Sequence, residues 1–205
     1  YWDPLAWKQG IARAAPLRQM REYIDVVRRL LSLEEGVTFE SDLIKVRDLT
    51  LDLGHEDPRI APDIKIFVGA TGPRMMELTG EIADGVLMNG ILPPAHTRRS
   101  LERLAKGASR AGRTLEQIRK LQLVKISMSN DVETARFDAK RLVTQYLGQQ
   151  PHFSKALAFP EHELEKIKAV MGGWPPRPGG IEDAMELVDD ALVDDLIAHG
   201  TPAQC

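Results

Sequence analysis

The stretch from Ile64 to Met88 limits the fold of this chain more than any other. Ile64-Lys65-Ile66-Phe67-Val68 is rich in β-branched residues and reads as a buried strand. Gly69-Ala70-Thr71-Gly72-Pro73 is a turn. Arg74 to Ala83 has helical spacing, with Met75, Met76, Leu78 and Ile82 available for packing. Asp84-Gly85 then turns the chain into Val86-Leu87-Met88, a second strand. A strand, a crossover helix and a second strand in so short a span form the repeat unit of a parallel α/β fold.

The same alternation runs along the rest of the chain. Pro16 suits the first turn of a helix. Leu17, Met20, Ile24, Val27 and Leu31 follow at helical spacing. Val37 to Leu53 reads as a short hairpin or irregular excursion. Thr97 to Ala111 is an amphipathic helix with Gly112 as its stop. Leu121 to Met128 is a third strand, with Leu121–Ser127 expected beside Ile64–Val68 and Val86–Met88. Asn130-Asp131 can cap the helix that follows. Gln149 to Pro160 is less regular, and Glu161 to Met171 is helical. Gly172 to Gly180 is a Pro/Gly-rich surface loop, and Ile181, Met185, Val188, Leu192 and Leu196 mark one long helix ending at Gly200. Three strands between helices suit an open sheet or a barrel, and they fall short of the eight that close a barrel.

With 205 residues the chain can bury one substantial core, so a single domain over 1–205 is expected. A net charge of −3 argues against sequence-independent binding of nucleic acid, which needs a basic face. No apolar run approaches the ~18–20 residues that span a bilayer. No signal peptide is visible, and a cytoplasmic location is expected. The one cysteine, Cys205, excludes an internal disulfide and a multi-cysteine metal site. The five histidines, His55, His96, His152, His162 and His199, lack HExxH spacing, so no bound metal is expected.

The segment from Ile66 to Asn89, with Gly72-Pro73-Arg74-Met75, Leu78-Thr79-Gly80-Glu81-Ile82-Ala83-Asp84-Gly85 and a strand ending at Asn89, resembles a region of the luciferase-like flavin- and F420-dependent oxidoreductases. It is most similar to their methylenetetrahydromethanopterin reductase branch. Val188-Asp189-Asp190-Ala191-Leu192 through Gly200-Thr201-Pro202 is similar to a later helix and Gly-Thr-Pro turn of the same family. The resemblance implies an α/β fold of the (β/α)8 TIM-barrel type. It implies that this chain holds a C-terminal portion, about strands 5–7, with strands 1–4 and the final strand outside it. It further implies coenzyme F420 as cofactor, with FMN as the alternative, a small-molecule substrate, and a homodimer or higher homo-oligomer.

The turn has physical meaning apart from any family. Gly72 lets backbone approach an anion closely, the helix N-terminus offers unpaired N–H groups, and Arg74 adds charge. A plain βα turn without a ligand fits the same residues. The resemblance implies a cofactor-phosphate site at Gly69, Ala70, Thr71, Gly72 and Arg74. Asn89, ending a strand where barrel active sites are built, is the candidate substrate contact, or else simply terminates that strand. Glu81 and Asp84 invite an acid–base reading, but a structural role for Asp84 in the turn to Gly85 is the better expectation. Gly80 is expected to permit close helix–strand packing. Arg98, Arg99 and Arg103 form either a steering patch for an anionic tail or a solvated helix face. Trp2 and Trp7 either wall the site or pack an N-terminal helix. No catalytic residue is assigned. The expected function is F420-dependent hydride transfer, with an FMN-dependent monooxygenase or a reduced non-catalytic barrel relative as alternatives.

Overall fold

The computed structural model describes residues 8–10 and 15–205, so Trp2 and Trp7 lie outside the described residues, as does the side chain of His152. Helix α1 spans Pro16–Leu31 and begins at the expected proline. Strands β1 (Val37–Glu40) and β2 (Lys45–Leu49) pair antiparallel, which confirms the hairpin. After a 3-10 turn over Pro58–Asp63 come β3 (Phe67–Gly69), α2 (Pro73–Ile82), β4 (Gly85–Met88), α3 (Pro94–Arg110) and β5 (Arg119–Gln122). Further along come β6 (Ile126–Met128), α4 (Val132–Gln149), α5 (Pro151–Leu157), α6 (Glu161–Met171), α7 (Gly180–Ala184), α8 (Asp190–Leu196) and β7 (Ala198–Gly200).

Strands β3, β4 and β5 form one sheet in that order. Its hydrogen bonds show the direction. Asp84 and Gly85 donate to the Ile66 carbonyl, and further along Ala70 donates to Leu87. Arg119 donates to Asp84, and further along Leu123 donates to Met88. Partners advance together on both sides of β4, so the strands are parallel, as the crossover helices require.

Two compact units divide the chain. In the first (Tyr1–Val68, Arg74–Val86, Arg103–Arg119), α2 lies against the C-terminal half of α3 at very short range. A Cβ on Gly80 would collide with the Leu104 carbonyl oxygen, and one on Gly107 with the Glu77 carbonyl oxygen. Gly80 therefore serves helix–helix contact, where helix–strand packing was expected. Met76, Leu104, Ala108 and Ile118 are buried here. Along the margin, Glu77 accepts from Arg103 and Arg110, each at 2.9 Å, with Lys106 at 3.6 Å. The Arg110 bond first, and Arg103 after it, holds the Glu77 carboxyl at about 2. Glu81 is paired with Arg110 at 2.6 Å and with Arg21.

The second unit (Gly69–Pro73, Leu87–Glu102, Lys120–Cys205) is built around α4. Asp131 caps that helix by accepting from the Glu133 N–H, as its position suggested. Val143 and Leu147 of α4 join Phe153, Ile167 and Met171 in a core shielded from solvent. The rings of Tyr146 and Phe153 meet edge to face, 5.7 Å apart.

Three expectations need correction in this unit. The single strand Leu121–Ser127 is two, because β5 ends at Gln122 and β6 starts at Ile126 and pairs elsewhere. The irregular stretch after Gln149 contains α5, opened by Pro151 in its first turn. The long helix from Ile181 to Gly200 is broken: α7 gives way to a 3-10 turn, Val188 is extended, and the Asp189 carboxylate accepts from Ala191 N–H to start α8 afresh. Its last residues, Ala198–Gly200, form β7, which pairs parallel with Ile126–Met128. Apolar spacing at Val188 and Leu192 mimics one helix, but an aspartate cap between them outweighs it locally.

Several apolar strand-region residues stand exposed: Leu121, Leu123, Val124, Ile126 and Met128. Among the described residues no helix is long and apolar enough to cross a membrane.

Gly107→Ala tests the α2–α3 contact. Alanine favours the helix by up to ~1 kcal/mol, but its methyl must displace backbone, and overpacking costs ~1–3 kcal/mol. Urea unfolding is expected to show a net loss of stability. A variant as stable as the parent would mean that the helices are not in such close contact.

Candidate functional site

The Gly69–Pro73 turn leaves β3 at its C-terminal end and runs into α2. Ala70 is buried, and its N–H reaches the Leu87 carbonyl at 3.3 Å. Gly69 and Gly72 are exposed and Thr71 is half-buried. Among the described residues, no acceptor takes the N–H of Thr71, Gly72 or Arg74, and the Arg74 guanidinium has neither ion pair nor hydrogen bond. Free N–H groups at a helix start, beside an unpaired cation, suit an anion.

The glycines of this turn differ from those elsewhere in the chain. Neither Gly69 nor Gly72 has a positive φ, and among the described residues a Cβ built on either meets nothing within 4 Å. At Gly85 the Phe67 ring fills that place, and at Gly90 the Leu123 carbonyl oxygen lies 2.9 Å away. The fold requires glycine at 85 and 90 and leaves open space at 69 and 72.

Asn89 follows the last residue of β4. By strand alternation it shares a face with Leu87, away from buried Val86 and Met88. Its carboxamide is half-buried and has no partner among the described residues. The loop beyond it is held under strain, because Ile91, a β-branched residue, has φ 60° while its side chain is buried. That loop delivers His96 to the first turn of α3. The His96 Nε2 is sealed from solvent and, among the described residues, has no hydrogen-bond partner by distance and angle. Burial pushes the imidazole below its usual range, and the Arg99 charge adds to this; the carbonyls of Ala156 and Thr71 pull the other way. The sequence reading passed over His96. Its one signal was position, two residues after Pro93-Pro94 at the start of a helix that follows a strand.

The carboxylates of the Gly-Glu-x-x-Asp-Gly segment have structural duties. Asp84 accepts from the Ile66 N–H at 2.9 Å and lies 3.7 Å from Arg28. Glu81 is held by arginines, and Arg103 is committed to Glu77. Arg98 and Arg99 stay exposed without ion pairs among the described residues. Two described cavities lie away from the turn. One of about 480 Å³ is lined by Arg136, Phe137 and Lys140, and one of about 290 Å³ by Arg28, Ile64 and Asp84.

The family model described as luciferase-like monooxygenase matches residues 4–205. The chain belongs to this family. Among luciferase-like relatives, it is 29% identical over 199 residues to 5,10-methylenetetrahydromethanopterin reductase of Methanolobus tindarius, covering 96% of this chain and 57% of the relative. It is 28% identical to the F420-dependent glucose-6-phosphate dehydrogenase of Nakamurella multipartita, covering 94% and 46%. The coenzyme F420 dependent tetrahydromethanopterin reductase from Methanopyrus kandleri superposes with a TM-score of 0.74 at 25% identity, covering 99% of this chain and 55% of that one. The chain thus spans about half the length of the relatives it matches. Its parallel strands and crossover helices are part of a luciferase-like barrel-type α/β fold.

Asp84→Ala separates scaffold from site. Leaving the Ile66 N–H without its acceptor should cost ~1–3 kcal/mol of stability, measured by urea denaturation. A variant with parental stability would return Asp84 to the list of candidates for chemistry.

Proposed function

We propose that this chain is the phosphate-holding portion of an F420-dependent oxidoreductase that acts on a small organic substrate. When bound, the deazaflavin supplies the chemistry, exchanging a hydride with that substrate. The protein's share is binding and orientation. The N–H groups of Thr71 and Gly72 and the side chain of Arg74 hold the cofactor's phosphate, with Gly69 and Ala70 shaping the turn. Asn89, able both to donate and to accept, contacts the substrate.

The observation that carries this reading is the open space at Gly69 and Gly72, glycines that neither φ nor crowding demands. Relatives named for F420 support the choice of cofactor.

Gly72→Val tests it. The side chain enters open space, so thermal unfolding should stay near the parent's. Affinity for F420 should fall ten- to a hundredfold, about 1.5–3 kcal/mol for a lost charge-assisted hydrogen bond. Unchanged binding by the folded variant would show that the turn is only a turn. Tight binding of FMN with none of F420 would overturn the cofactor assignment.

The reading also takes the protein as a homo-oligomer. Sedimentation equilibrium should find a species larger than one chain, and a stable monomer would contradict this.

A further inference from the structure

We propose that the cavity beside α4 in the second unit binds a small zwitterion with an apolar side chain, an α-amino acid by chemical class, held between the Arg136 guanidinium and the Glu133 carboxylate. The cavity lies away from the Gly69–Pro73 turn and does not rest on the cofactor reading. Its volume of about 480 Å³ is that of a small-molecule pocket. Glu133, Arg136, Phe137 and Lys140 of α4 line one side, and Met185 and Asp190, from the segment after α7, line the other. Phe137 stands on the wall 49% exposed, so its ring is open to an apolar guest.

Most charged groups around this cavity already have partners. The Asp131 carboxylate accepts from the Glu133 N–H at 3.2 Å and from the Thr134 hydroxyl at 2.7 Å. Lys140 donates to Asp190 at 2.7 Å, and that bond is the main cause holding the Asp190 carboxyl below its usual range. Asp194 lies 2.8 Å from the His199 Nε2. Arg136 is left over. Its Nη2 is 3.6 Å from Asp190 and 3.9 Å from Asp194, beyond hydrogen-bond reach, and its Nε has no partner among the described residues. Glu133 has no cation for its carboxylate among the described residues. The two are one helical turn apart, neighbours on the α4 surface, yet they do not pair with each other. A guanidinium short of acceptors and a carboxylate short of donors therefore stand next to an open aromatic ring. The carboxylate, ammonium and apolar side chain of one amino acid match these three groups. A simple carboxylic acid would meet Glu133 as a like charge, and a simple amine would meet Arg136 as one.

Calorimetric titration of the full chain with L-phenylalanine and with L-leucine tests this. Two further probes are hydrocinnamate, which lacks the ammonium, and phenethylamine, which lacks the carboxylate. Saturable binding of an amino acid is expected, with both analogues weaker by about tenfold or more. Arg136→Gln and Glu133→Gln should each weaken amino-acid binding by a similar factor while circular dichroism shows unchanged helix content. The Phe137 ring resonances should shift on titration, and Gly72→Val should bind the amino acid as the parent does. No saturable binding of either amino acid would overturn the inference, as would binding that Arg136→Gln and Glu133→Gln both leave unchanged. Hydrocinnamate bound as tightly as phenylalanine would overturn the assignment of a zwitterion.

Discussion

Ile66 and Asp84 lock the first two parallel strands together. The Ile66 carbonyl accepts from the N–H groups of Asp84 and Gly85, and the Asp84 carboxylate takes the Ile66 N–H in return. This clasp sits where the chain enters β3 and β4, and it fixes their register. Once it is set, parallel direction carries the exits of both strands to the same end of the sheet, which places Gly69–Pro73 and Asn89 on neighbouring strand ends. A side chain at the entry end thus determines what can be assembled at the exit end. The carboxylate of a motif that invites catalytic interpretation is part of the scaffold.

The features that were legible in the sequence had local causes. Pro16 starts α1, Asp131 caps α4, and the alternation from Ile64 to Met88 needs nothing distant to be read as strand, helix and strand. What stayed hidden depended on competition or on distant partners. The apolar spacing from Ile181 to Leu196 fits one helix, yet Asp189 offers its carboxylate to a backbone N–H and breaks it. Leu121 to Met128 reads as one strand because nothing in its composition reveals that its two ends pair with different neighbours, Gly85–Met88 and Ala198–Gly200. The glycine turn was recognisable as a phosphate candidate. The enclosure of the His96 Nε2 was not legible, since it depends on residues far away in sequence.

Backbone strain and close approach are concentrated after β4. Gly90 passes against the Leu123 carbonyl, Ile91 holds an unfavourable φ, and both Ile91 and Leu92 are buried. Packing over-determines this loop, the condition under which strained conformations persist. Under the proposed function, rigidity of this kind suits the presentation of Asn89, because pre-organised groups lose less entropy when a ligand arrives.

Two pairs of glycines differ in what holds them, and the difference has an evolutionary reading. Gly80 and Gly107 allow two helices to touch through their backbones, while Gly69 and Gly72 border empty space. Selection on the first pair acts through folding and persists in any lineage that keeps this architecture. On the proposed reading, selection on the second pair lasts only as long as a bound group occupies the space beside it. In a descendant that had abandoned its cofactor, positions 80 and 107 would stay fixed while 69 and 72 drifted to larger residues. Their divergence would then record the loss of activity in a protein that still folds.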